Sequence, residues 1–344
     1  MLAAALYGPG DVRIEEQPVP QPGPGEIVVR IEAALTCATD LKIIKNGRHP
    51  TLGPLPARIG HEMAGVVAAS GPDQARFRDG ERVMIANSAP CGDCLACWRG
   101  QPSQCNNLLF LHGGFAQYLR VPRRIVDDNV RPIPTGLPYA HAALAEPLAC
   151  ALRGVEAAQI RPGATVVVIG GGALGLLLSR LAKRAGAQVI LVGRRADRLS
   201  LAREAYEIDE TVDATQPDPA ARVEALTNGE GGDVVIEAVG TPEAWESAVE
   251  MTRNGGTVVF FGGCPPGKEM RMDTHRLHYN ELTLRGVFHH TPRQIHEALT
   301  LIEEGSVDPE PLLSGHVPLH DLREALRLME AREGLKYVVH PWPS

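Results

Sequence analysis

Four cysteines occur close together between residues 91 and 105. Cys91, Cys94, Cys97 and Cys105 follow the spacing C-x2-C-x2-C-x7-C. Thiolates at such short intervals can converge on one tetrahedral Zn²⁺ and leave no coordination position open for a reacting molecule. The alternative, four unrelated free thiols, is disfavoured by the spacing. We therefore predict a structural zinc site here.

A second group of possible ligands is spread along the first half of the chain. Cys37 lies in ALTCATD, His61 and Glu62 in RIGHEMAG, and Glu146 in ALAEPLAC. Alone, each of these residues could be a buried structural side chain or a solvated charge. Together, a thiolate, an imidazole and one or two carboxylates would form a mixed shell with one position left open. Such a shell is typical of catalytic zinc.

A glycine-rich segment follows the apolar run VVVI. Gly170, Gly172 and Gly175 spell G-x-G-x-x-G, with Ala173 and Leu174 at the start of a predicted helix. The first glycine allows the turn, the second lets a pyrophosphate approach the backbone, and the third packs the helix on the strand. The helix N-terminus also offers free N–H groups to phosphate. The motif therefore predicts a dinucleotide-binding site. The alternative, a glycine-rich turn that binds no ligand, is disfavoured.

The residues after the next strand indicate which dinucleotide is bound. NAD-specific folds have Asp or Glu at this position, whereas QVILV is followed here by Gly193, Arg194 and Arg195. Two guanidinium groups can bind a ribose 2′-phosphate, whereas arginines that only solvate a helix N-terminus would oppose the helix dipole. Gly240 and Gly262 end two further strands and support the same site. We predict a preference for NADP(H) over NAD(H).

The elements that must position these groups fall into two regions. In residues 1–150, short strands at Ile27–Glu32, Gly65–Ala69 and Arg82–Ala86 alternate with turn signals and predict an irregular all-β domain. In residues 151–289, strands and helices alternate, which predicts a doubly wound parallel sheet. Residues 290–344 contain two helical stretches and a final strand, KYVVHP, and are expected to complete the first domain.

Whole-chain properties exclude several classes of function. The 344 residues suggest two domains, and the net charge of −7, with no basic block, disfavours binding to nucleic acid or to anionic membranes. The N-terminus lacks the pattern of a signal peptide, and the longest uncharged stretch, Gly163–Ser179, is too short and glycine-rich for a membrane span. We expect a cytoplasmic protein. Seven cysteines are too few for a disulfide scaffold.

In combination, the GHE, four-cysteine and G-x-G-x-x-G motifs resemble the zinc-dependent medium-chain dehydrogenase/reductase family of the alcohol dehydrogenase superfamily, over essentially the whole chain. Glu146, in EPL, stands where the classical alcohol enzymes have a second cysteine, as in the sorbitol (polyol) and threonine dehydrogenase branch. The resemblance implies a GroES-like β-rich catalytic domain and a Rossmann domain. It also implies two zinc ions per chain, with Cys37, His61 and Glu146 holding the catalytic ion directly or through water and Glu62 as an exchangeable ligand.

The same resemblance implies an activity. The expected reaction is hydride transfer between NADP(H) and a small secondary alcohol or polyol and its ketone, by a homodimer or homotetramer. Thr39 matches the hydroxyl that passes on the substrate proton. Lys42 stands where many relatives have a histidine, either as the end of this relay or as a solvated lysine. The alternatives are amino-alcohol oxidation of the threonine dehydrogenase type, a zinc-independent quinone or enoyl reductase, and a non-catalytic zinc-stabilised binding protein.

The four-cysteine site generates a first prediction. Cys94→Ala should remove one of the two zinc ions per chain and lower thermal stability, because the loop-rich lobe loses the metal that holds it together. Zinc content by mass spectrometry and a thermal melt measure the two effects. Full zinc content with unchanged stability would contradict the structural-site interpretation.

Overall fold

The computed structural model describes residues 1–343. This part of the chain forms two compact units, residues 1–149 together with the segment from His290 onward, and residues 150–289. No helix within residues 1–343 is long and apolar enough to cross a membrane.

The strands and helices are numbered in chain order. Up to residue 158 they are β1 (Leu2–Gly8), β2 (Asp11–Glu16), β3 (Ile27–Leu35), α1 (Ala38–Asn46), β4 (Ala57–Arg58), β5 (Glu62–Ser70), β6 (Arg82–Ile85), β7 (Ser88–Ala89), α2 (Leu95–Trp98), β8 (Leu109–Phe110), β9 (Tyr118–Val121), α3 (Arg123–Asn129), β10 (Val130–Pro132), α4 (Tyr139–Ala143) and α5 (Ala145–Ala158). Up to residue 286 they are β11 (Thr165–Ile169), α6 (Ala173–Arg184), β12 (Gln188–Gly193), α7 (Ala196–Tyr206), β13 (Glu210–Asp213), α8 (Pro219–Leu226), β14 (Gly232–Glu237), α9 (Pro242–Glu250), β15 (Thr252–Phe260), α10 (Thr274–Tyr279) and β16 (Thr283–Gly286). The remaining elements are α11 (Pro292–Glu303), β17 (Leu313–Pro318), α12 (Leu322–Glu330) and β18 (Lys336–His340). Short 3₁₀ turns occupy Pro102–Gln104, Glu310–Leu312 and Leu319–Asp321.

The first unit is built around a sheet of seven strands within the described residues. Its order is β10-β6-β5-β3-β18-β17, and β9 also pairs with β3. Apolar side chains of β3 and β5, among them Ile27, Val29, Ile31, Met63 and Val67, contribute to one buried cluster. The central strand β3 ends just before Cys37, and β5 begins at Glu62, opposite Leu35. The sheet therefore brings the ends of two strands that carry candidate ligands side by side.

The prediction that residues 1–150 are all β was wrong. Helices α1, α3 and α4 lie in this region. The signal for α1 is present in the sequence as a capping box at Cys37 and Asp40 and a left-handed C-cap at Gly47, with φ of 63°. The β-branched and Pro/Gly-rich segments on either side dominate the sequence pattern and mask this nine-residue helix.

The second unit contains one parallel sheet whose order, in the described residues, is β13-β12-β11-β14-β15-β16. Every adjacent pair in it is parallel. The predicted Rossmann-type fold class is therefore confirmed. The sequence analysis identified the four inner strands but not β13 or β16, because these edge strands are short and carry partly exposed polar residues.

The turn between β11 and α6 has the geometry that the glycine motif requires. Gly170 has φ of +119°, and a Cβ atom on Gly175 would lie 1.7 Å from the carbonyl oxygen of Gly170. Gly172 is the N-cap of α6, and a Cβ atom there would meet nothing within 4 Å. Of these two glycines, only Gly175 lies where a side chain would collide with the backbone of the turn.

This difference generates a prediction about stability. Gly175→Ala should destabilise the chain by about 1–3 kcal/mol, because the new methyl group collides with backbone and not with a movable side chain. The midpoint of thermal unfolding should fall by several degrees. Gly172→Ala is the matched control and should melt close to the wild-type temperature. Equal melting of the two variants would contradict the tight packing described here.

Candidate metal centres and dinucleotide site

The four cysteines of the sequence motif come together around α2. The Sγ–Sγ distances are 3.3 Å for Cys91 and Cys105, 3.6 Å for Cys94 and Cys97, and 3.8 Å for Cys94 and Cys105. Sulfur atoms on a tetrahedral Zn²⁺ with bonds of about 2.3 Å are about 3.8 Å apart. The arrangement therefore fits one zinc ion with all four thiolates as ligands.

Backbone donors prepare part of this site for thiolate. N–H groups of Cys97 and Asn106 are the main reason why the pKa of Cys94 is lowered to about 6. Desolvation acts in the opposite direction on Cys97 and raises its pKa to about 11. Hydrogen bonds also lower the pKa of Cys91, so the chain itself favours thiolate at Cys91 and Cys94 but not at Cys97. A bound cation would supply the remaining stabilisation.

The second cluster is organised by Asp40, which is fully buried. One carboxylate oxygen accepts a hydrogen bond from the backbone N–H of Cys37 at 2.9 Å, and the other lies 3.0 Å from Nδ1 of His61. The carboxylate therefore fixes the imidazole with Nδ1 toward Asp40 and Nε2 available as a ligand atom. Ligand atoms of Cys37, His61 and Glu62 lie within 4.8 Å of one another.

Charge governs the protonation of His61. Burial disfavours the imidazolium, but the carboxylate of Asp40 and the thiol group of Cys37 outweigh it and hold the pKa of His61 well above its usual range. This environment therefore favours the imidazolium form in the metal-free protein. A metal ion would bind with release of that proton.

Glu62 is fully buried and forms an ion pair with an equally buried lysine. Nζ of Lys336 donates to both carboxylate oxygens, at 2.7 and 2.5 Å, and also to the carbonyl oxygen of Thr36 at 3.3 Å. Burial opposes the charge on Lys336, but Glu62, Cys37 and Glu146 together outweigh it and raise the lysine pKa. Lys336 therefore lies in place as a counter-charge for the Glu62 carboxylate before any metal binds.

Glu146 lies in a separate polar group on α5. Its carboxylate is 3.7 Å from Nε2 of His290, which in turn is 2.9 Å from Oδ1 of Asn87, and all three side chains are buried. Burial is the main cause that raises the pKa of Glu146 to about 7, with Glu62 adding to it and His61 opposing it. Among the described residues, the close ligand set around Cys37 does not include Glu146.

A third polar group adjoins His61 on its other side. The ring of His112 packs edge-on against the ring of His61, with centroids 5.7 Å apart. Nε2 of His112 is 3.0 Å from the hydroxyl of Thr51, which is 2.8 Å from Nδ1 of His49. Burial lowers the pKa of His112 to about 4, so this ring is neutral at pH 7.

The two residues predicted for proton transfer lie on α1. Thr39 is half-buried in the first turn, and its backbone N–H donates to Sγ of Cys37 at 3.5 Å. Lys42 is exposed one turn further along the helix. The placement of Thr39 beside Cys37 is compatible with its predicted role, and Lys42 is open to solvent.

In the second unit, the end of β12 lies beside the glycine turn. A Cβ atom on Gly193 would be 3.6 Å from the backbone nitrogen of Gly171, so a side chain at residue 193 would cover the turn. Arg194 is exposed, whereas Arg195 binds Asp197 through Nε at 3.0 Å and Nη2 at 3.2 Å. Exposed ion pairs of this kind contribute at most about 1 kcal/mol, so a phosphate could compete for Arg195.

Two further glycines bring neighbouring strand ends into close contact. A Cβ atom on Gly262 would lie 2.4 Å from the backbone nitrogen of Gly240, and one on Gly240 would lie 2.6 Å from the carbonyl oxygen of Gly263. Backbone N–H groups of Val239 and Gly240 donate to the buried carboxylate of Glu237. The loops after β14 and β15 are therefore fixed against each other by backbone contacts.

Sequence reasoning missed Asp40, Lys336 and Asn87. Asp40 had a local signal, because it lies three residues after Cys37 at capping-box spacing. Lys336 had none, since 274 residues separate it from Glu62. Asn87 likewise has a distant partner, 203 residues away.

Comparison with known proteins places this architecture in a family. The model of the alcohol dehydrogenase GroES-like domain matches residues 23–133, and that of zinc-binding dehydrogenases matches residues 173–304. The erythritol/L-threitol dehydrogenase of Mycolicibacterium smegmatis is 32% identical over 99% of this chain and 98% of its own length. The chain belongs to the zinc-binding dehydrogenase family.

Other relatives of this zinc-binding dehydrogenase agree with that assignment. The sorbitol dehydrogenase of Bacillus subtilis is 29% identical over 99% of this chain and 97% of its own length. A structure described as a zinc-binding dehydrogenase of Sinorhizobium meliloti 1021, bound to NADP, has a TM-score of 0.91 and 32% identity, and covers 99% of both chains. The predicted family, fold class and enzyme class are confirmed. This dehydrogenase is an oxidoreductase of the alcohol dehydrogenase superfamily that works with zinc and a nicotinamide cofactor.

The role of Asp40 in this zinc-binding dehydrogenase generates a prediction. Asp40→Asn should lower zinc affinity at the Cys37–His61 cluster about tenfold to hundredfold, because an amide cannot accept both hydrogen bonds that the carboxylate accepts. Competition with a coloured zinc chelator measures the affinity. Asp11→Asn, at an exposed carboxylate that pairs with Arg13, is the control and should leave zinc release unchanged. Wild-type affinity in Asp40→Asn would show that the imidazole needs no such support.

Proposed function

We propose that the protein oxidises a secondary alcohol or polyol to the ketone with NADP⁺ and catalyses the reverse reduction with NADPH. The observation that carries this proposal is the cluster of Cys37, His61 and Glu62, with an imidazole already oriented by Asp40. A thiolate, an imidazole and a carboxylate form the mixed, open ligand set of catalytic zinc. We assign residues 1–150 and 290–344 to the catalytic domain and residues 151–289 to the NADP-binding domain.

Two zinc ions per chain are part of the proposal. Cys91, Cys94, Cys97 and Cys105 would hold the structural ion. Cys37, His61 and Glu146 would hold the catalytic ion, directly or through water, with Glu62 as an exchangeable ligand. Lewis-acid catalysis is the chemistry that zinc supplies at such a site, by lowering the pKa of a substrate hydroxyl or polarising a carbonyl.

The side chains of the protein would orient the substrate and move its proton. We assign the hydroxyl of Thr39 to the hydrogen bond that receives the substrate proton, because Thr39 lies in the first turn of α1 beside Cys37. Lys42 is exposed further along the same helix. It stays a candidate for the last step of the relay, in which the proton passes to solvent. His61, whose ring is oriented by Asp40, would serve as a ligand.

The preference for NADP(H) rests on the residues after β12. Gly193 leaves the space above the glycine turn open, and exposed Arg194 offers a guanidinium with which a 2′-phosphate can form a charge-assisted hydrogen bond. Gly170, Gly172, Ala173, Leu174, Gly175, Arg195, Gly240 and Gly262 complete the proposed cofactor site. The relative from Sinorhizobium meliloti that is bound to NADP supports this choice.

A second candidate function is oxidation of an amino alcohol. The L-threonine 3-dehydrogenase of Bacillus licheniformis is 30% identical over 99% of this chain and 99% of its own length. An alcohol with an ammonium group next to the reacting carbon therefore belongs in any substrate test. A homodimer or homotetramer and a cytoplasmic location are further parts of the proposal.

Initial rates of NADPH formation test the function. The purified, zinc-replete protein is assayed with polyols, simple secondary alcohols and L-threonine, with NADP⁺ and with NAD⁺. Turnover of one class with NADP⁺ preferred is the expected result. Absence of turnover with every class and both cofactors would refute the proposal.

Arg194→Ala tests the cofactor preference. The KM for NADP⁺ should rise about tenfold to hundredfold, because a hydrogen bond to a charged group is lost, while the KM for NAD⁺ changes little. Arg184→Ala, at an exposed arginine near the end of α6, is the matched control and should affect neither cofactor. Equal effects of Arg194→Ala on both cofactors would contradict the assignment.

A further inference from the structure

A buried lysine lies among the proposed ligands of the catalytic metal, and the proposed reaction gives it no role. Lys336 is 3% exposed, and Glu62 is fully buried. The ammonium group donates to both carboxylate oxygens, at 2.7 and 2.5 Å. Ligand atoms of Cys37, His61 and Glu62 lie within 4.8 Å of one another. The same carboxylate is therefore within reach of an ammonium group and of a candidate metal position.

Backbone contacts hold this lysine in place beside Cys37. The N–H of Tyr337 donates to the hydroxyl of Thr36 at 2.8 Å, and the N–H of Thr36 donates to the carbonyl oxygen of Tyr337 at 3.0 Å. Nζ of Lys336 makes a third hydrogen bond, to the carbonyl oxygen of Thr36 at 3.3 Å. The ammonium is therefore anchored independently of Glu62, and a turn of the Glu62 side chain would break both hydrogen bonds between them.

Glu62 thus has two competing partners. Hydrogen bonds between charged groups are about twice as strong as neutral ones, and the ammonium supplies two of them to the carboxylate. A metal ion bound by Cys37 and His61 would attract the same carboxylate. Without the ammonium, Glu62 would carry a buried and uncompensated charge, and the metal would be the cation left to balance it.

We infer that Lys336 is a positioning residue that keeps Glu62 off the catalytic metal and so keeps one coordination position open for the substrate oxygen. The inference rests on the proposed function, in which Glu62 is an exchangeable ligand, and states what controls the exchange. A purely structural ion pair predicts that its loss weakens the whole centre. A positioning role predicts the opposite sign for the metal, because Glu62 becomes a permanent ligand once the ammonium is removed.

The sign of the change in zinc affinity is the first test. Lys336→Met replaces the ammonium by an uncharged side chain of similar length. We expect it to retain the zinc of the Cys37–His61 cluster about tenfold more tightly in competition with a coloured chelator, because zinc no longer competes with hydrogen bonds between charged groups. The double variant Lys336→Met/Glu62→Gln should lose this gain. Lys183→Met is the matched control, at a surface lysine that pairs with Asp209, and should leave zinc retention unchanged.

A small ligand reports the open coordination position. Cobalt(II) replaces zinc, and its visible absorption is followed while imidazole is added. We expect the wild type to take up imidazole with a change of spectrum, and Lys336→Met to require at least about tenfold more imidazole, because Glu62 already fills the position. Cobalt bound by four cysteines has no open position and contributes equally to both spectra. Turnover of an accepted alcohol should fall in Lys336→Met although zinc is retained more tightly.

Each outcome supports or overturns the inference. Lower or unchanged zinc affinity in Lys336→Met, or imidazole uptake equal to that of the wild type, would overturn it. An equal gain in the double variant would show that Glu62 is not the added ligand and would overturn it as well. Thermal melting checks that each variant is folded.

Glu62→Gln carries the test if Lys336→Met does not fold. Because Lys336 holds Glu62 off the metal, this variant should keep a zinc affinity close to the wild-type value. A large fall would show that Glu62 is a resting ligand and would contradict the inference. Absence of turnover with every alcohol would refute the proposed function, whereas zinc retention and imidazole uptake would still test the role of Lys336.

Discussion

The carboxylate of Asp40 is the interaction on which the candidate catalytic centre depends. It is fully buried, caps the first turn of α1 through the backbone of Cys37, and orients the imidazole of His61. Because one side chain performs both tasks, the start of the helix and the direction of the imidazole lone pair are not independent. Burying a carboxylate costs free energy unless its hydrogen bonds are made. The loss of either contact would therefore lower the stability of the folded state.

The ion pair of Glu62 and Lys336 complements this arrangement. Both side chains are almost completely inaccessible, and an isolated charge in such a place would cost several kcal/mol. The lysine therefore balances a negative charge close to Cys37 and His61. The ion pair also restricts how Glu62 could act as an exchangeable metal ligand. Any movement of this carboxylate toward a metal must replace two short hydrogen bonds to Lys336.

The parts that could be predicted from the sequence are those whose chemistry lies in neighbouring residues. The cysteine spacing and the glycine motif are local. The regular alternation of strands and helices along the chain indicates the parallel sheet. The short edge strands β13 and β16 were missed because they present polar residues and gain their definition from pairing. Asp40 could have been found from its position after Cys37. The partners Lys336 and Asn87 could not, because only the fold brings them near Glu62 and His290.

The position of Lys336 also bears on how the protein is made. Strand β18, which carries this lysine, inserts between β3 and β17, and the ribosome synthesises it after the whole of residues 150–289. The sheet of the second unit can therefore fold during translation, whereas Glu62 waits without its counter-charge until β18 emerges. The candidate catalytic centre can therefore be completed only after residues 150–289 have been synthesised.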